Sequence, residues 1–526
     1  MNERTFWGIG ASDPDRPAVV EDGGGTTTYG ELATLADRLS NGLRAIGLAA
    51  GDTVAVLLSN RVEFLALQLA THQIGLVLAP LNRHLTGHEA GYVLGDSGAR
   101  VVVADVASAP AAREAADLAG LAGDARFGIG PVPGFRPFTD LLGAAERPTD
   151  RISGSLLLYS SGTTGKPKGI RRPLTGAAPE AEHDAMAAQL IEMGMTPGGV
   201  YLGTGPLYHS APNSHAIGAL HLGQTVVLSS GFDAEHILDL IRTHRVTDAF
   251  MVPTMMHRLV TVPVTSRARY DVSSMRVILQ SGAICPIPTK RAMIEWFGPI
   301  LYEFYGASES GAITSIDSHS WLQHQGSVGR PAPGKDVKVR DEHGNELPPG
   351  TPGLLYLLTG RPFEYQHDPD KTARSHRDGY FVPGDIGYVD EDGWLYLCDR
   401  RTDMIISGGV NIYPAEIESE LLGHDVVLDA AVFGVPDDEW GQQVVALIEL
   451  REGIAGDPAV LDSVLAHCRR RLARFKVPRV LEVVEQLPRT PAGKINRVRL
   501  REHYQMASGC SMETNARATG ESGSSR

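Results

Sequence analysis

The chain has 526 residues, too many for one ordinary domain and enough for two or three. Hydrophobic residues make up 42% and charged residues 21%, which is typical of a globular protein with a full core. The formal net charge of −14 argues against a general nucleic-acid binder, because such a protein would show a basic face.

The cysteines and the hydropathy pattern indicate the cellular compartment. Cys285, Cys398, Cys468 and Cys510 are scattered without metal or redox spacing, which favours free thiols in a reducing compartment. The first five residues have no apolar core for secretion, and no apolar run approaches the ~20 residues needed to cross a bilayer. We therefore predict a soluble, cytoplasmic protein with no membrane partner.

The first half of the chain alternates predicted helices and strands. Thr28 and Glu31 form a capping-box pattern before a helix, and apolar runs at 54–58, 76–81 and 100–104 predict buried strands. Further helices are predicted at 63–74 and 177–193, and further strands at 225–228 and 246–252. Such alternation predicts crossover connections and a largely parallel sheet.

A loop rich in hydroxyls, glycines and lysines follows a predicted strand at 156–159. Its hydroxyls can donate to phosphate oxygens, its glycines bring backbone N–H groups close to an anion, and its lysines add positive charge. The residues are Ser160, Ser161, Gly162, Thr163, Thr164, Gly165, Lys166 and Lys168. It is not a Walker A loop, because Pro167 follows Lys166 where Ser or Thr is required. The pattern leaves two alternatives, a polyphosphate loop or an ordinary surface loop.

Two later strands end in polar or small residues. After a strand at 276–280, the turn of Ser281, Gly282 and Ala283 is a place where ligands meet backbone in open α/β sheets, although an ordinary strand end is the simpler explanation. The second strand leads into a string that contains Glu303, Phe304, Tyr305, Gly306, Ser308 and Glu309.

The residues of that second string suit a nucleotide. Tyr305 offers a flat face to adenine, and Gly306 permits close backbone approach. Ser308 can bond to an α-phosphate, and Glu309 is a hard oxygen ligand for Mg²⁺. Later in the chain, Asp385 follows a turn and can accept two hydrogen bonds from ribose hydroxyls.

These strings closely resemble those of the adenylate-forming superfamily, which includes acyl- and aryl-CoA synthetases, peptide-synthetase adenylation domains and luciferases. The resemblance rests on the stretches 156–170, 301–309, 379–387 and 488–497, which fall in the family's order. It implies an α/β fold with a large multi-subdomain N-terminal region of mostly parallel sheets and a small mobile α+β C-terminal lid. The implied boundaries are 1–400 for the N-terminal domain, 401–402 for the hinge and 403–506 for the lid, and the tail at 507–526 is expected to be disordered.

The resemblance also implies roles for particular residues. Lys494 would be the catalytic lysine, with His209 and Glu309 as further catalytic residues, and Thr163 would join Glu309 at the metal. Thr402 would be the hinge residue, and Arg400 would supply a second ribose contact. The acyl pocket would be lined by His209, Ser210, Ala211, Asn213, Pro253, Thr254, Gly282, Phe304 and Gly306. Coenzyme A would meet Gly408, Gly409, Trp440, Lys476 and Arg479, although a solvated basic edge is nearly as good an explanation for the last three.

The implied reaction activates a carboxylic acid with ATP and Mg²⁺ as an acyl-adenylate and transfers the acyl group to coenzyme A. Three alternatives remain: an amide synthetase with an amine acceptor, a stand-alone domain that loads a carrier protein, and a non-catalytic nucleotide-binding protein. The segment 210–214 has no acidic residue, which disfavours an α-amino acid. The predicted pocket is apolar or small-sided, which favours a monocarboxylic aromatic or aliphatic acid. A monomer or homodimer that binds only small molecules is expected.

Overall fold

The computed structural model describes residues 5–160, 167–407, 410–437, 440–489, 495, 497, 499–501 and 504. Its helices are α1 (Phe6–Ser12), α2 (Tyr29–Ala45), α3 (Val62–Gln73), α4 (Gly87–Asp96), α5 (Ala109–Leu118), α6 (Pro179–Glu192), α7 (Ser210–His221), α8 (Ala234–His244), α9 (Pro253–Thr261), α10 (Val264–Arg267), α11 (Ile287–Phe297), α12 (Ser318–Gln323), α13 (Pro369–Ser375), α14 (Pro414–Leu422) and α15 (Pro458–Arg471).

The strands of the first half are β1 (Pro17–Glu21), β2 (Thr26–Thr28), β3 (Thr53–Leu57), β4 (Val77–Pro80), β5 (Ala99–Asp105), β6 (Arg126–Ile129), β7 (Arg136–Pro137), β8 (Ser155–Leu156), β9 (Leu158–Ser160), β10 (Lys168–Arg171), β11 (Val200–Gly203), β12 (Thr225–Leu228), β13 (Asp248–Met251) and β14 (Val277–Gln280).

The strands of the second half are β15 (Leu301–Ala307), β16 (Gly311–Asp317), β17 (Ser327–Pro331), β18 (Asp336–Arg340), β19 (Gly353–Leu358), β20 (Glu364–Tyr365), β21 (His376–Arg377), β22 (Tyr380–Phe381), β23 (Asp385–Val389), β24 (Leu395–Arg400), β25 (Ile405–Ser407), β26 (Val410–Ile412), β27 (Val427–Asp437), β28 (Gly441–Leu450) and β29 (Val480–Val483).

Helix α2 begins at the capping box that the sequence predicts. The Thr28 hydroxyl accepts from the Glu31 N–H at 3.2 Å, and the Glu31 carboxylate accepts from the Thr28 N–H at 2.8 Å, which completes the capping box of α2. This reciprocal pair satisfies two N–H groups that a helix start leaves open. The mixed α/β fold predicted from the alternation is confirmed.

Two large sheets form the N-terminal part. The smaller one has the order β7-β6-β5-β3-β4-β8 and is parallel throughout. The larger one begins β2-β1-β12-β11-β13-β14-β15 and continues β16-β17-β24-β23-β19-β22-β21, with β18 beside β19. In this larger sheet, β1 and β11 to β15 pair in parallel with their neighbours of that group, whereas the pairs from β15 onward are antiparallel.

The larger sheet is antiparallel over its second half, whereas the sequence predicts a largely parallel sheet. Between β15 and β24 the strands follow one another with short connections or short helices, and a parallel crossover needs a dozen or more residues, usually with a full helix. The alternating pattern of the first 250 residues therefore does not extend to the second half of the sheet.

The C-terminal part has its own small sheets and core. Strands β27, β28 and β29 form one sheet, and β25 and β26 form a hairpin. A buried cluster that includes Ile405, Ile417, Val432 and Cys468 packs α14 and α15 against this part. None of the helices in the described part of the chain is both long and apolar enough to span a bilayer.

Candidate active site

A cavity of about 2540 Å³ lies where the carboxyl ends of the parallel strands face the C-terminal part. Residues of both parts line it. The predicted site residues on its wall are Lys168, His209, Ser210, Ala211, Pro253, Thr254, Ser281, Gly282, Ala283, Glu303, Phe304, Tyr305, Gly306, Ser308, Glu309, Asp385, Arg400, Thr402 and Lys476.

Strand topology explains why these residues converge. Strands β13, β14 and β15 are parallel neighbours, so their carboxyl ends lie at the same edge of the sheet. Strand β13 leads to the start of α9 at Pro253, and β14 leads to the turn at Ser281. Gly282 in that turn has a φ of +96°, a conformation that L side chains rarely adopt.

The predicted nucleoside residues form one hydrogen-bonded cluster. The Tyr305 hydroxyl donates to Asp385 Oδ2 at 2.7 Å, and Arg400 Nε lies 3.3 Å from Asp385 Oδ1. Tyr305 is only 8% exposed, and burial, followed by the Asp385 charge, raises its pKa far above the ordinary value. The hydroxyl therefore remains a donor, and Asp385 is held between a phenol and a guanidinium.

Gly306 is required by close backbone packing. A Cβ at this position would lie 1.9 Å from the carbonyl oxygen of Gly311 on the neighbouring strand. The strand pair β15–β16 also shifts register between Tyr305 and Gly306. The glycine thus lets β16 approach the segment that leads to Glu309.

Glu309 is a buried carboxylate at the cavity wall. It is 9% exposed, and the Tyr365 hydroxyl donates to its Oε1 at 3.0 Å. No described residue donates a hydrogen bond to Oε2. No group of three or more His, Cys, Asp or Glu in the described ranges could hold a metal ion. One carboxylate with an available oxygen nonetheless fits Mg²⁺, which usually binds one or two carboxylates together with substrate phosphates.

A basic cluster beside Glu309 was not predicted from the sequence. Arg172 Nη2 donates to the carbonyl oxygens of Ser308 and Glu309, both at 2.8 Å, and its Nη1 is buried without a partner in the described part of the chain. Burial, followed by the charge of Arg361, lowers the pKa of Arg172. Burial and the two arginines also lower the pKa of Lys335. The charge of Arg361 thus opposes protonation of both Arg172 and Lys335, and a cluster of like charges of this kind favours an anion.

A sequence signal for this cluster existed. Arg171 and Arg172 directly follow the hydroxyl-rich loop, so a basic pair lies close to the predicted phosphate site. Arg361 comes from a distant segment and has no recognisable pattern around it. Only the fold brings it near Arg172.

All but one of the residues predicted to line the acyl pocket lie on the cavity wall, and the exception is Asn213. His209 is the N-cap of α7, and its ring packs 4.6 Å from that of Tyr208. Asn213, by contrast, is fully buried and is not among the lining residues. Its amide exchanges hydrogen bonds of 2.6 and 2.7 Å with Gln68 of α3. The structure therefore gives Asn213 a packing role and does not place it at the predicted pocket.

Glu303 reaches the wall but its side chain is already paired. Lys290 Nζ lies 2.6 Å from its carboxylate, and both side chains are buried. The ammonium group also lies 4.8 Å from the centre of the Trp321 ring. A nucleotide could thus meet the backbone of Glu303 but not a free carboxylate.

The predicted coenzyme A residues do not form one group. Lys476 lines the cavity and contacts both carboxylate oxygens of Glu416 at 2.7 Å. Trp440 and Arg479 are not among the lining residues, and the Arg479 guanidinium lies 4.8 Å from the centre of the Trp440 ring.

The predicted hinge residue Thr402 is exposed next to a buried carboxylate. Asp399 accepts from the N–H of Ala415 in α14 at 3.2 Å, which links the end of β24 to the C-terminal part. Burial raises the pKa of Asp399 to about 6, although Arg497 opposes the shift. Arg497 in turn pairs with Glu418 at 2.7 Å and Asp403 at 3.3 Å.

Several predicted residues lie outside the described residues. These are Ser161, Gly162, Thr163, Thr164, Gly165, Lys166, Gly408, Gly409, Lys494 and the tail at 507–526, and the side chain of Ser160 is likewise not described. Their flanks are described. Lys168 pairs with Ser160 across β9 and β10, and Arg489 pairs with Ile495 in an isolated bridge.

The flanks of the Lys494 segment reach the cavity. Arg489 and Ile495 both line it. The Arg489 guanidinium forms two-nitrogen contacts with Asp429 at 2.6 to 2.9 Å and donates to Thr254 Oγ1 at 3.3 Å. The two described residues on either side of the Lys494 segment, Arg489 and Ile495, thus lie at the cavity wall.

The fold and the cavity are those of an α/β enzyme with two parts. The site lies at the carboxyl ends of the parallel strands, and the C-terminal part covers one side of it. The sequence profile of the "AMP-binding enzyme" family matches residues 7–360, and that of the "AMP-binding enzyme C-terminal domain" matches residues 416–494. The chain belongs to the AMP-binding enzyme family, which confirms the predicted superfamily.

Individual relatives cover almost the whole chain. It is 35% identical over 501 residues to a feruloyl-CoA synthase of Amycolatopsis sp., a match that covers 92% of this chain and 96% of the relative. Among solved structures, ATP-bound MatB from Rhodopseudomonas palustris superposes with a TM-score of 0.80 at 31% identity, over 96% of this chain and 99% of that one. The amide bond synthetase McbA from Marinactinospora thermotolerans gives a TM-score of 0.79 at 29% identity, over 93% and 97%.

Proposed function

We propose that this AMP-binding enzyme is a carboxylic acid–CoA ligase that forms an acyl-adenylate, releases pyrophosphate and transfers the acyl group to coenzyme A. The observation that supports this most strongly is the convergence of Tyr305, Asp385 and Glu309 on one cavity that both parts of the chain line. A nucleoside, a metal-bound phosphate and an acyl group can therefore meet in one place.

The nucleoside would bind against Tyr305, Asp385 and Arg400. Tyr305 would support adenine by its backbone and ring edge, while its hydroxyl keeps Asp385 oriented toward the ribose. A carboxylate accepts up to four hydrogen bonds, so contacts with Tyr305 and Arg400 leave capacity for ribose hydroxyls. Arg400 is itself exposed at the wall, which suits a second ribose contact.

The phosphates would lie between Glu309, the hydroxyl-rich loop and the basic cluster. When bound through Glu309, Mg²⁺ would neutralise phosphate charge. Ser161, Thr163, Thr164 and Lys166 would donate to phosphate oxygens. Arg172, whose Nη1 has no described partner, would face the charge that leaves with pyrophosphate.

The chemistry needs no protein nucleophile. A carboxylate oxygen of the acid attacks the α-phosphorus of ATP, and the bond to the bridging oxygen breaks with departure of pyrophosphate. The thiol sulfur of coenzyme A then attacks the acyl carbon and AMP leaves. Lys494 would stabilise the charge of the first transition state, and His209 would adjoin the acyl carbon.

The pantetheine arm of coenzyme A would approach the cavity from the C-terminal part of the chain. Gly408 and Gly409 would leave space for the narrow pantetheine arm, and Lys476 would lie near the entrance. Trp440 and Arg479 would serve coenzyme A only on the outer surface, because they lie away from the cavity wall.

An amide synthetase is the second candidate, supported by the likeness to McbA over 93% of the chain. A panel of carboxylic acids, each assayed for pyrophosphate release with coenzyme A, with a simple amine, with an acyl carrier protein or with no acceptor, separates the possibilities. We expect acid-dependent turnover that coenzyme A accelerates. Acceleration only by the amine or the carrier protein would replace the proposed acceptor, and no pyrophosphate with any acid would contradict the proposal.

Lys494 has a specific expected phenotype. We expect Lys494→Ala to reduce adenylate formation by about a hundredfold or more, because it removes a transition-state cation, and largely to retain thioester formation from a supplied acyl-adenylate. Lys338→Ala is the control, since Lys338 pairs with Glu346 away from the cavity. Single-turnover rates of the two half-reactions measure this, and equal loss in both would refute the role of Lys494.

A further inference from the structure

We propose that His215 recognises the far end of the acid by accepting a hydrogen bond from a neutral hydroxyl or aryl amine. The preferred substrates are then aromatic acids that have such a donor opposite the carboxylate. This inference rests on the proposed function, because it assigns the substrate class of the same cavity.

His215 lies further along α7 than His209, the residue proposed to adjoin the acyl carbon. It follows His209 by six residues on α7, which at about 1.5 Å per residue places it roughly 9 Å further along the helix. Phe304 precedes Gly306 by two residues on β15, which places it on the same face and roughly 7 Å back along the strand. The His215 and Phe304 rings stack with centroids 5.6 Å apart, so α7 and β15 contact each other at these two residues.

The tautomer of His215 is fixed by its backbone partner. Its Nδ1 lies 2.6 Å from the carbonyl oxygen of Ala211. A carbonyl oxygen only accepts, so Nδ1 must hold the proton, and Nε2 of the neutral ring presents a lone pair. Burial lowers the pKa of His215 to about 4, which keeps the ring neutral at physiological pH.

The Nε2 lone pair is available to a ligand. His215 lines the cavity, is 6% exposed, and receives no hydrogen bond at Nε2 from any described residue. The amide of Gln68, also on this wall, is occupied by Asn213. A buried acceptor without a donor is costly, and a ligand that supplies the donor removes that cost.

The surroundings of His215 favour an aromatic ring without charge. The apolar side chains that line the cavity on α6, α7, β13 and β15 include Met186, Leu190, Ile217, Phe250 and Phe304, and Met193 at the C-cap of α6 joins them. The His215 ring also stacks on Phe250 at 5.0 Å and 22°. Aromatic groups prefer such stacked or edge contacts, and a charged group would lose hydration among these apolar side chains. A neutral imidazole cannot balance a second carboxylate.

The test compares acids that differ only in the donor. Benzoate and cinnamate are assayed with their 4-hydroxy, 4-amino and 4-methoxy derivatives, together with hexanoate and 6-hydroxyhexanoate, by acid-dependent pyrophosphate release. The protein is wild type, His215→Phe, which keeps a ring but removes the acceptor, and His215→Gln, which retains an amide acceptor. Thermal unfolding of each variant reports whether it is folded.

We expect the wild type to favour the 4-hydroxy and 4-amino derivatives over the 4-methoxy and unsubstituted aromatic acids by about tenfold in kcat/KM, mainly through KM. His215→Phe should remove that preference, so that the ratio of kcat/KM between the donor-bearing and unsubstituted acids falls to about one, and His215→Gln should retain part of it. Equal losses on all acids in a folded variant, or no wild-type preference for donors, would overturn the inference and leave the ligase proposal intact. No pyrophosphate with any acid would overturn both.

Discussion

Tyr305 and Asp385 are the pair on which the proposed nucleoside site depends. They are 80 residues apart in the chain, and their 2.7 Å hydrogen bond joins β15 to β23. A hydrogen bond to a carboxylate is stronger than one between neutral groups and fixes the carboxylate's direction. The Tyr305 hydroxyl therefore fixes the orientation of Asp385, which is proposed to bind the ribose.

We expect Tyr305→Phe to raise the KM for ATP by about tenfold, because Asp385 loses a charge-assisted hydrogen bond and its fixed orientation. Tyr380→Phe is a matched control, since the Tyr380 hydroxyl donates to Asp336 at 2.6 Å away from the cavity wall. Steady-state kinetics with ATP as the varied substrate measure the effect. Similar KM values for both variants would contradict the assigned role.

Arg172 gives a second pair of matched variants. We expect Arg172→Ala to lower the rate of adenylate formation by about tenfold or more, because the leaving pyrophosphate loses a cation. Arg171→Ala is the control, since Arg171 precedes it directly but donates to the Gly51 carbonyl at 3.2 Å and does not line the cavity. Single-turnover adenylate formation by both variants decides the matter, and equal rates would exclude a phosphate role for Arg172.

Strand β15 and its hairpin partner β16 position many residues of the proposed nucleotide site. The strand supplies Phe304, Tyr305 and Gly306, and the turn that follows supplies Glu309. These residues share one site because the strand ends at the sheet edge where the neighbouring parallel strands also end. Their grouping could therefore be predicted from the string alone.

Gly306→Ala tests this hairpin. The added methyl group would lie 1.9 Å from the Gly311 carbonyl oxygen, so the strands must separate, and we expect a loss of about 1–3 kcal/mol of unfolding free energy together with ATP affinity. Gly95→Ala is the opposite control, because Gly95 lies in α4 with no atom near its Cβ position, and it should stabilise by about 0.5–1 kcal/mol. Chemical denaturation of both variants provides the comparison.

Side-chain partners were harder to predict than strand ends. Asn213 has the polarity and position expected of a pocket residue, yet Gln68, 145 residues away, offers a complementary amide and holds it inside the core. Glu303 is similarly taken by Lys290. Such pairings depend on which distant elements pack together, and no local pattern reveals that. The antiparallel half of the long sheet escaped prediction because no periodic helix signal separates its strands.

The two parts of the chain meet at the cavity, and polar contacts among the described residues connect them. The C-terminal part has its own buried core, and Arg489 to Thr254 and Ala415 to Asp399 are among its contacts with the N-terminal part. A part with its own core is suited to rotation as a unit. Rotation about residues 401–402 remains a prediction, as do the domain boundaries.

Both parts of the chain are proposed to converge on the α-phosphate of ATP. This convergence is tested by ³¹P NMR of the products that purified protein forms from ATP and Mg²⁺ with a broad panel of carboxylic acids. We expect AMP and pyrophosphate, in amounts that depend on the acid. Formation of ADP and phosphate, or no acid-dependent cleavage with any member of the panel, would contradict it.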